Sequence, residues 1–145
     1  MRRPALAVIA ATLMALASGA PQADPSAKIR NFIDKSFNGS PSTGQFNCAY
    51  QGKRASKPCA VTIKKERIDH PDFVAYIGKP DTTEVITIRW PDGDQSKYTW
   101  LDDGGMLNLG EKKAFGYQVS GTEEETDWSR GFVINKNGSE YVRLW

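Results

Sequence analysis

The chain has 145 residues, with 19 Lys and Arg against 17 Asp and Glu, two cysteines and one histidine. A formal charge of +2 is too small to make the basic face that nucleic-acid binding ordinarily needs. Two thiols and one imidazole are also a poor donor set for structural zinc, and the length suits one ordinary domain.

The start, "MRRPALAVIAATLMALASGAPQADP", places Arg2 and Arg3 before an uncharged apolar run from Ala5 to Ala17 and a small-residue segment. That is the layout of a secretory leader over residues 1–23, with an apolar core too short to be a permanent membrane span. Cleavage after Gly19 or after Ala23 fits equally well. Without Arg2 and Arg3 the remaining chain carries as many cations as acids, so its nominal basicity belongs to the leader. Residues 24–145 form one globular domain, and all four Trp, five Tyr and six Phe lie in it, enough bulk for a core.

"DPSAKIRNFIDKSFNGS" reads as a helix. Asp24 can cap it, Pro25 suits its first turn and Gly39 its stop. Ile29, Phe32, Ile33 and Phe37 share one stripe, as a helix docked on a sheet requires. After "SPSTG" the period changes to two. Phe46, Cys48 and Tyr50 alternate, and so do Cys59, Val61 and Ile63. Cys48 and Cys59 form an even pair beyond a leader, which reads as a disulfide. If they face each other, Phe46 lies opposite Val61 and the bond staples a hairpin. Lys53, Arg54 and Lys57 then make a small basic cluster in its turn, ordinarily a solvated tip.

"KKERIDHPDFVAYIG" reads as a strand ended by Gly78 and Pro80, with Phe73, Ala75 and Ile77 on one face. "EVITIRW" and the run Ser96, Tyr98, Trp100 flank Trp-Pro-Asp-Gly-Asp. Pro91 presets the turn, Asp92 can bond back to its backbone and Gly93 takes the left-handed conformation. The implied register pairs Trp90 with Asp94, Ile88 with Ser96 and Ile86 with Tyr98. An EF-hand frame counted from Asp92 fails, because Lys97 stands at the sixth position where glycine is required, and Asp103 at the twelfth is shorter than glutamate. Asp92, Asp94, Asp102 and Asp103 could meet an ion only in some other geometry. No metal site is predicted.

"LDDGGMLNLG" is a second turn, and Met106–Leu109 with Phe115–Val119 suggest another hairpin. "SGTEEETDWSRG" reads as a polar loop. Its acids Glu123, Glu124, Glu125 and Asp127 suit a basic protein partner, and Trp128 and Arg130 are typical anchor residues. "FVIN", the Asn-Gly turn and "SEYVRLW" close the chain as two strands apolar on both faces, which implies an interior position. The segment "EYVRLW" is also the most plausible edge for adding a partner strand. Asn38-Gly39-Ser40 and Asn137-Gly138-Ser139 match the glycosylation pattern but read as turns.

Catalytic motifs are missing. There is no Gly-x-Ser-x-Gly, Ser-x-x-Lys, His-Glu-x-x-His, phosphate loop or Gly-x-Gly-x-x-Gly. His70, beside Asp69 and Asp72 and near Glu66 and Arg67, is the one candidate acid–base centre for a small hydrolase or nuclease. No nucleophile is tied to it by spacing. Size, leader, single disulfide and strand content are similar to those of the small periplasmic inhibitors of C-type lysozyme. "VSGTEEETDWSRG" shares only a Ser-Gly and a following Trp with their inhibitory segment, so no family assignment follows.

The expected protein is α+β and mostly β: an N-terminal helix packed on a curved antiparallel sheet or small partly open β-barrel of about seven to nine short strands. The expected role is that of a periplasmic or secreted, non-catalytic module binding an envelope protein or glycan through loops. Inhibition of a basic hydrolase such as lysozyme, or hydrolysis at His70, are the alternatives. No cofactor, no nucleic acid and no stable membrane anchor after leader removal are expected.

Overall fold

The computed structural model describes residues 26–101, 105–110, 121–125 and 128–145. Residues 1–23, read above as a leader, and Asp102, Asp103, Phe115–Val119 and Asp127 lie outside them. Helix α1 spans Ala27–Phe37 and is followed by β1 (Ser42–Phe46), β2 (Cys48–Tyr50), β3 (Lys53–Arg54) and β4 (Cys59–Ile68). Helix α2 (Pro71–Ile77) leads to β5 (Asp81–Arg89), β6 (Gln95–Trp100) and β7 (Gly105–Gly110). The rest is β8 (Gly121–Glu125), β9 (Phe132–Lys136) and β10 (Ser139–Leu144). The mostly β architecture with an N-terminal helix is therefore as the sequence implies.

All strand pairs are antiparallel, in the order β1-β4-β5-β6-β7-β8-β9-β10-β2-β3. β1 and β2 stand at opposite ends of that order, yet only Asn47 separates them in the chain. The sheet must curl until its ends nearly meet. Asn47 seals the join by exchanging both backbone bonds with Trp145, at 2.9 and 3.0 Å. The result is strongly curved but not a closed barrel.

The expected stripe of α1 covers the inner face. Ile29 and Ile33 are buried, and Phe32 meets Phe46 edge-on at 4.8 Å. Phe37 stays half exposed beside Trp100. Gly39, at φ +102°, stops the helix. The cap is Ser26, which makes no side-chain capping bond, while Asp24 and Pro25 lie outside the described residues. Ile63, Ile86, Ile88, Tyr98, Phe132 and Val142 fill the interior beneath α1.

Four expectations change. The stretch after Ile68 is helical rather than extended. His70 accepts the Asp72 N–H at 3.2 Å, Pro71 opens α2 and Gly78 closes it at φ +99°. Phe73 and Ile77 are then helical neighbours, and they cover Ile68, Val85, Leu101 and Leu107 on the outer face. Capping at both ends overrides the alternation of Phe73, Ala75 and Ile77.

The cysteines do not staple a two-stranded hairpin. Phe46 lies opposite Cys59 and Gly44 opposite Val61, whereas Cys48 pairs in β2 with Leu144. The disulfide Cys48–Cys59 therefore ties β2 at one end of the strand order to β4 near the other.

The segment read as a polar loop contributes β8, laddered between β7 and β9. Sheet neighbours rather than intrinsic propensity decide such a strand. Finally, "EYVRLW" is no free edge. β10 is paired on both sides, with β9 and β2.

The Trp90–Asp94 hairpin matches its expected register at Ile88↔Ser96 and Ile86↔Tyr98, with Trp90 N–H bonded to Asp94 O at 2.9 Å. Gly93 has φ +93°, and Asp92 Oδ1 accepts the Asp94 N–H at 3.1 Å. The final hairpin turns on two residues, Asn137 and Gly138, both left-handed, which suits a primed turn.

Reducing the disulfide is expected to destabilise the protein by about 3 kcal/mol through the entropy of its short loop. Urea unfolding with and without reductant measures it. Gly131 sits at φ +100° with Leu144 O 2.2 Å from where a Cβ would stand. Gly131→Ala should therefore cost on the order of 3 kcal/mol or more, visible in the same titration.

Candidate functional site

The disulfide closes a ring from Cys48 to Cys59. Within it β2 turns back on β3 through Gln51 and Gly52, both at positive φ, pairing Ala49 with Arg54 and Tyr50 with Lys53. Ala55 N–H bonds Cys48 O at 2.9 Å and holds the following segment against the ring. A small ring with a paired hairpin inside it has a backbone with little freedom left to lose on binding.

Across from this ring stands the Trp90–Asp94 turn. Between them lies a cleft of about 430 Å³, lined on one side by Tyr50 and residues 53–57 and on the other by Trp90, Pro91 and Asp92. Tyr50 and Trp90 meet edge-to-face at 5.6 Å. Trp90 is buried, with its indole N–H donated to Ser96 Oγ at 2.9 Å, so this wall is fixed. Tyr50 is half-buried and its hydroxyl lies 2.9 Å from that of Tyr141.

Lys53, Arg54 and Lys57 stand exposed at the rim. The Arg54 guanidinium lies over the Trp145 ring at 5.2 Å, and Arg143 lies over the same ring at 3.8 Å. Among the described residues, none of the three rim cations has a carboxylate within ion-pairing distance. Three positive charges of the ring thus surround an aromatic floor, with Asp92 as the acid of the facing wall. Such a mouth attracts anions, and hydrogen-bonding polar groups at an apolar floor fix orientation.

The other expected site residues are scattered. Glu123, Glu124 and Glu125 have their backbone in β8. Trp128 packs against the core, stacked on Phe132 at 6.5 Å with Arg30 over its ring at 5.4 Å. Arg130 pairs with Glu140 at 2.8 Å. Among these, Trp128 and Arg130 are engaged within the protein. No group of three or more His, Cys, Asp or Glu side chains able to hold a metal occurs among the described residues, and Asp92 is occupied as the turn's own acceptor.

His70 is used structurally. Its Nδ1 caps α2 and lies 3.8 Å from Asp72 Oδ2. Glu66, which with Asp69 is one of the two acids the hydrolase alternative would use, pairs with Lys97 at 3.2 Å.

Sequence reasoning singled out Lys53, Arg54 and Lys57 but treated them as a solvated tip, and it missed Tyr50 and Trp90 as floor residues. The available signal was the cysteine pair, which forces the basic segment into a ring rather than a free turn. No protein-family model matches the chain, and no curated protein or solved structure is detectably similar to it. The described helices include none long and apolar enough to cross a membrane.

His70→Ala is expected to cost about 1 kcal/mol of helix-end stability, read as faster amide exchange at Asp72 and Val74. Catalytic turnover present in the purified protein and lost in this variant would instead establish His70 as an acid–base centre.

Proposed function

We propose that this protein is an exported, non-catalytic binding module of the cell envelope or periplasm, and that it takes an anionic group of an envelope glycan or protein into the cleft between residues 53–57 and the Trp90–Asp94 turn. The observation that carries this reading is the trio Lys53, Arg54 and Lys57, held without carboxylate partners among the described residues around Tyr50 and Trp90. Cations in that state gain from an incoming carboxylate what an internal ion pair would otherwise have supplied.

Two further features support it. The leader read over residues 1–23 directs the chain to an oxidising compartment, and the disulfide that such a compartment permits closes the ring that carries the cations. His70 uses its Nδ1 to cap α2, a structural role for the one histidine. The acidic run, which would favour a basic hydrolase as partner, has its backbone held in the ladder between β7 and β9 rather than on a loop tip. That arrangement favours the cleft over the run.

The test is a titration of the purified protein with glucuronate-containing disaccharides and short acidic peptides, followed by tryptophan fluorescence. Saturable binding is expected to weaken as salt rises, and Lys53→Gln with Lys57→Gln should lower affinity at least about tenfold. Binding that ignores both lysines, or no binding of either ligand type, overturns the reading.

A further inference from the structure

The cleft does not stop at Tyr50. That ring also lines a second cleft, of about 630 Å³, on its far side. There Tyr50 is joined by Gln51, Asn137, Ser139, Glu140 and Tyr141, with Lys136 over the Tyr141 ring at 4.8 Å. Trp90, Tyr50 and Tyr141 form a row, with centroids 5.6 and 5.1 Å apart along it. The Tyr50–Tyr141 hydroxyl contact fixes the middle of that row. Two concavities thus share Tyr50 and lie along one aromatic row, close enough for one ligand to reach both.

Their chemistry differs. The first cleft has three cations on its rim and one acid, Asp92. The second is lined mainly by amides and hydroxyls, with one cation and one acid, Glu140. The geometry points to a single extended ligand: an acidic oligosaccharide whose uronate lies in the first cleft and whose neighbouring neutral sugar lies in the second. This rests on the binding reading given above and names its ligand class.

The argument against a polyanion is electrostatic. A nucleic acid or polyphosphate carries a charge on every unit. Occupying both clefts would place one of those charges in the second cleft, where the one lining cation, Lys136, lies over the Tyr141 ring and Arg130 is already paired with Glu140. A sugar brings neutral hydroxyl groups that both donate and accept instead, and its ring carbons suit a floor of Tyr and Trp. Gln51, Asn137 and Ser139 supply neutral donors and acceptors for the same hydroxyls.

Hyaluronan fragments alternate a uronate with a neutral sugar and so present this pattern at controlled length. Affinities of free glucuronate and of the hyaluronan disaccharide are compared by calorimetry on the intact oxidised protein, with oligo-dT and polyphosphate alongside. The disaccharide is expected to bind at least tenfold more tightly than glucuronate. Ser139→Glu, an exposed position that adds an anion to the second cleft, should abolish this gain and leave glucuronate binding unchanged. Ser139→Ala, which adds no charge, should retain most of it, and unfolding titrations confirm that both variants fold.

Equal affinity for glucuronate and the disaccharide overturns the two-cleft reading while leaving the first cleft as an anion site. Tighter binding of oligo-dT or polyphosphate overturns the sugar assignment in favour of a polyanion. Failure of the disaccharide itself to bind overturns the two-cleft reading, and the binding reading then stands or falls on the acidic peptides.

Discussion

The stretch from Ser42 to Tyr50 belongs to both ends of the sheet at once. Its first half pairs with β4 and its second half with β10, and only Asn47 lies between. A single extended segment cannot serve two distant edges unless the sheet bends round to meet it. The curvature, the enclosed interior beneath α1 and the approach of β3 to the Trp90 turn all follow from that one demand. The disulfide then makes the approach durable, because it links the second half of this stretch to the strand that pairs with the first half.

The cleft is a by-product of this closure. Where a sheet curls and its ends are joined by a bent strand, the hairpin leaving that strand has no further sheet to continue into. β3 is two residues long and stands at the end of the strand order. A short edge carrying Lys and Arg is a common protection against edge-to-edge pairing. Here the same residues rim a cavity whose floor is built from Tyr50 and Trp90, so one device that shields an edge also shapes the cleft proposed to take a ligand.

Local chemistry was legible in the sequence where it sufficed by itself. The Pro-Asp-Gly turn, its register, the α1 stripe and the cysteine pairing each depend on residues near one another in the chain. Misreadings arose where a distant partner decides. Alternation at Phe73–Ile77 looked extended because the apolar residues it covers as a helix, Val85, Leu101 and Leu107, come later in the chain. Glu123–Glu125 looked like a loop because their ladder partners, Gly105–Leu107 and Val133–Asn135, lie elsewhere in the chain. The cleft was half legible: its cations were evident, but no short-range pattern brings Tyr50 beside Trp90.

The reciprocal bonds between Asn47 and Trp145 also govern when the molecule can become itself. Pairings between residues so far apart in sequence are slow to form, and this one needs position 145 to be free to pair. Until then β2 lacks its β10 partner and the curled sheet gapes. Closure of the sheet is thus timed by the arrival of the last strand, β10, rather than by the local hairpins.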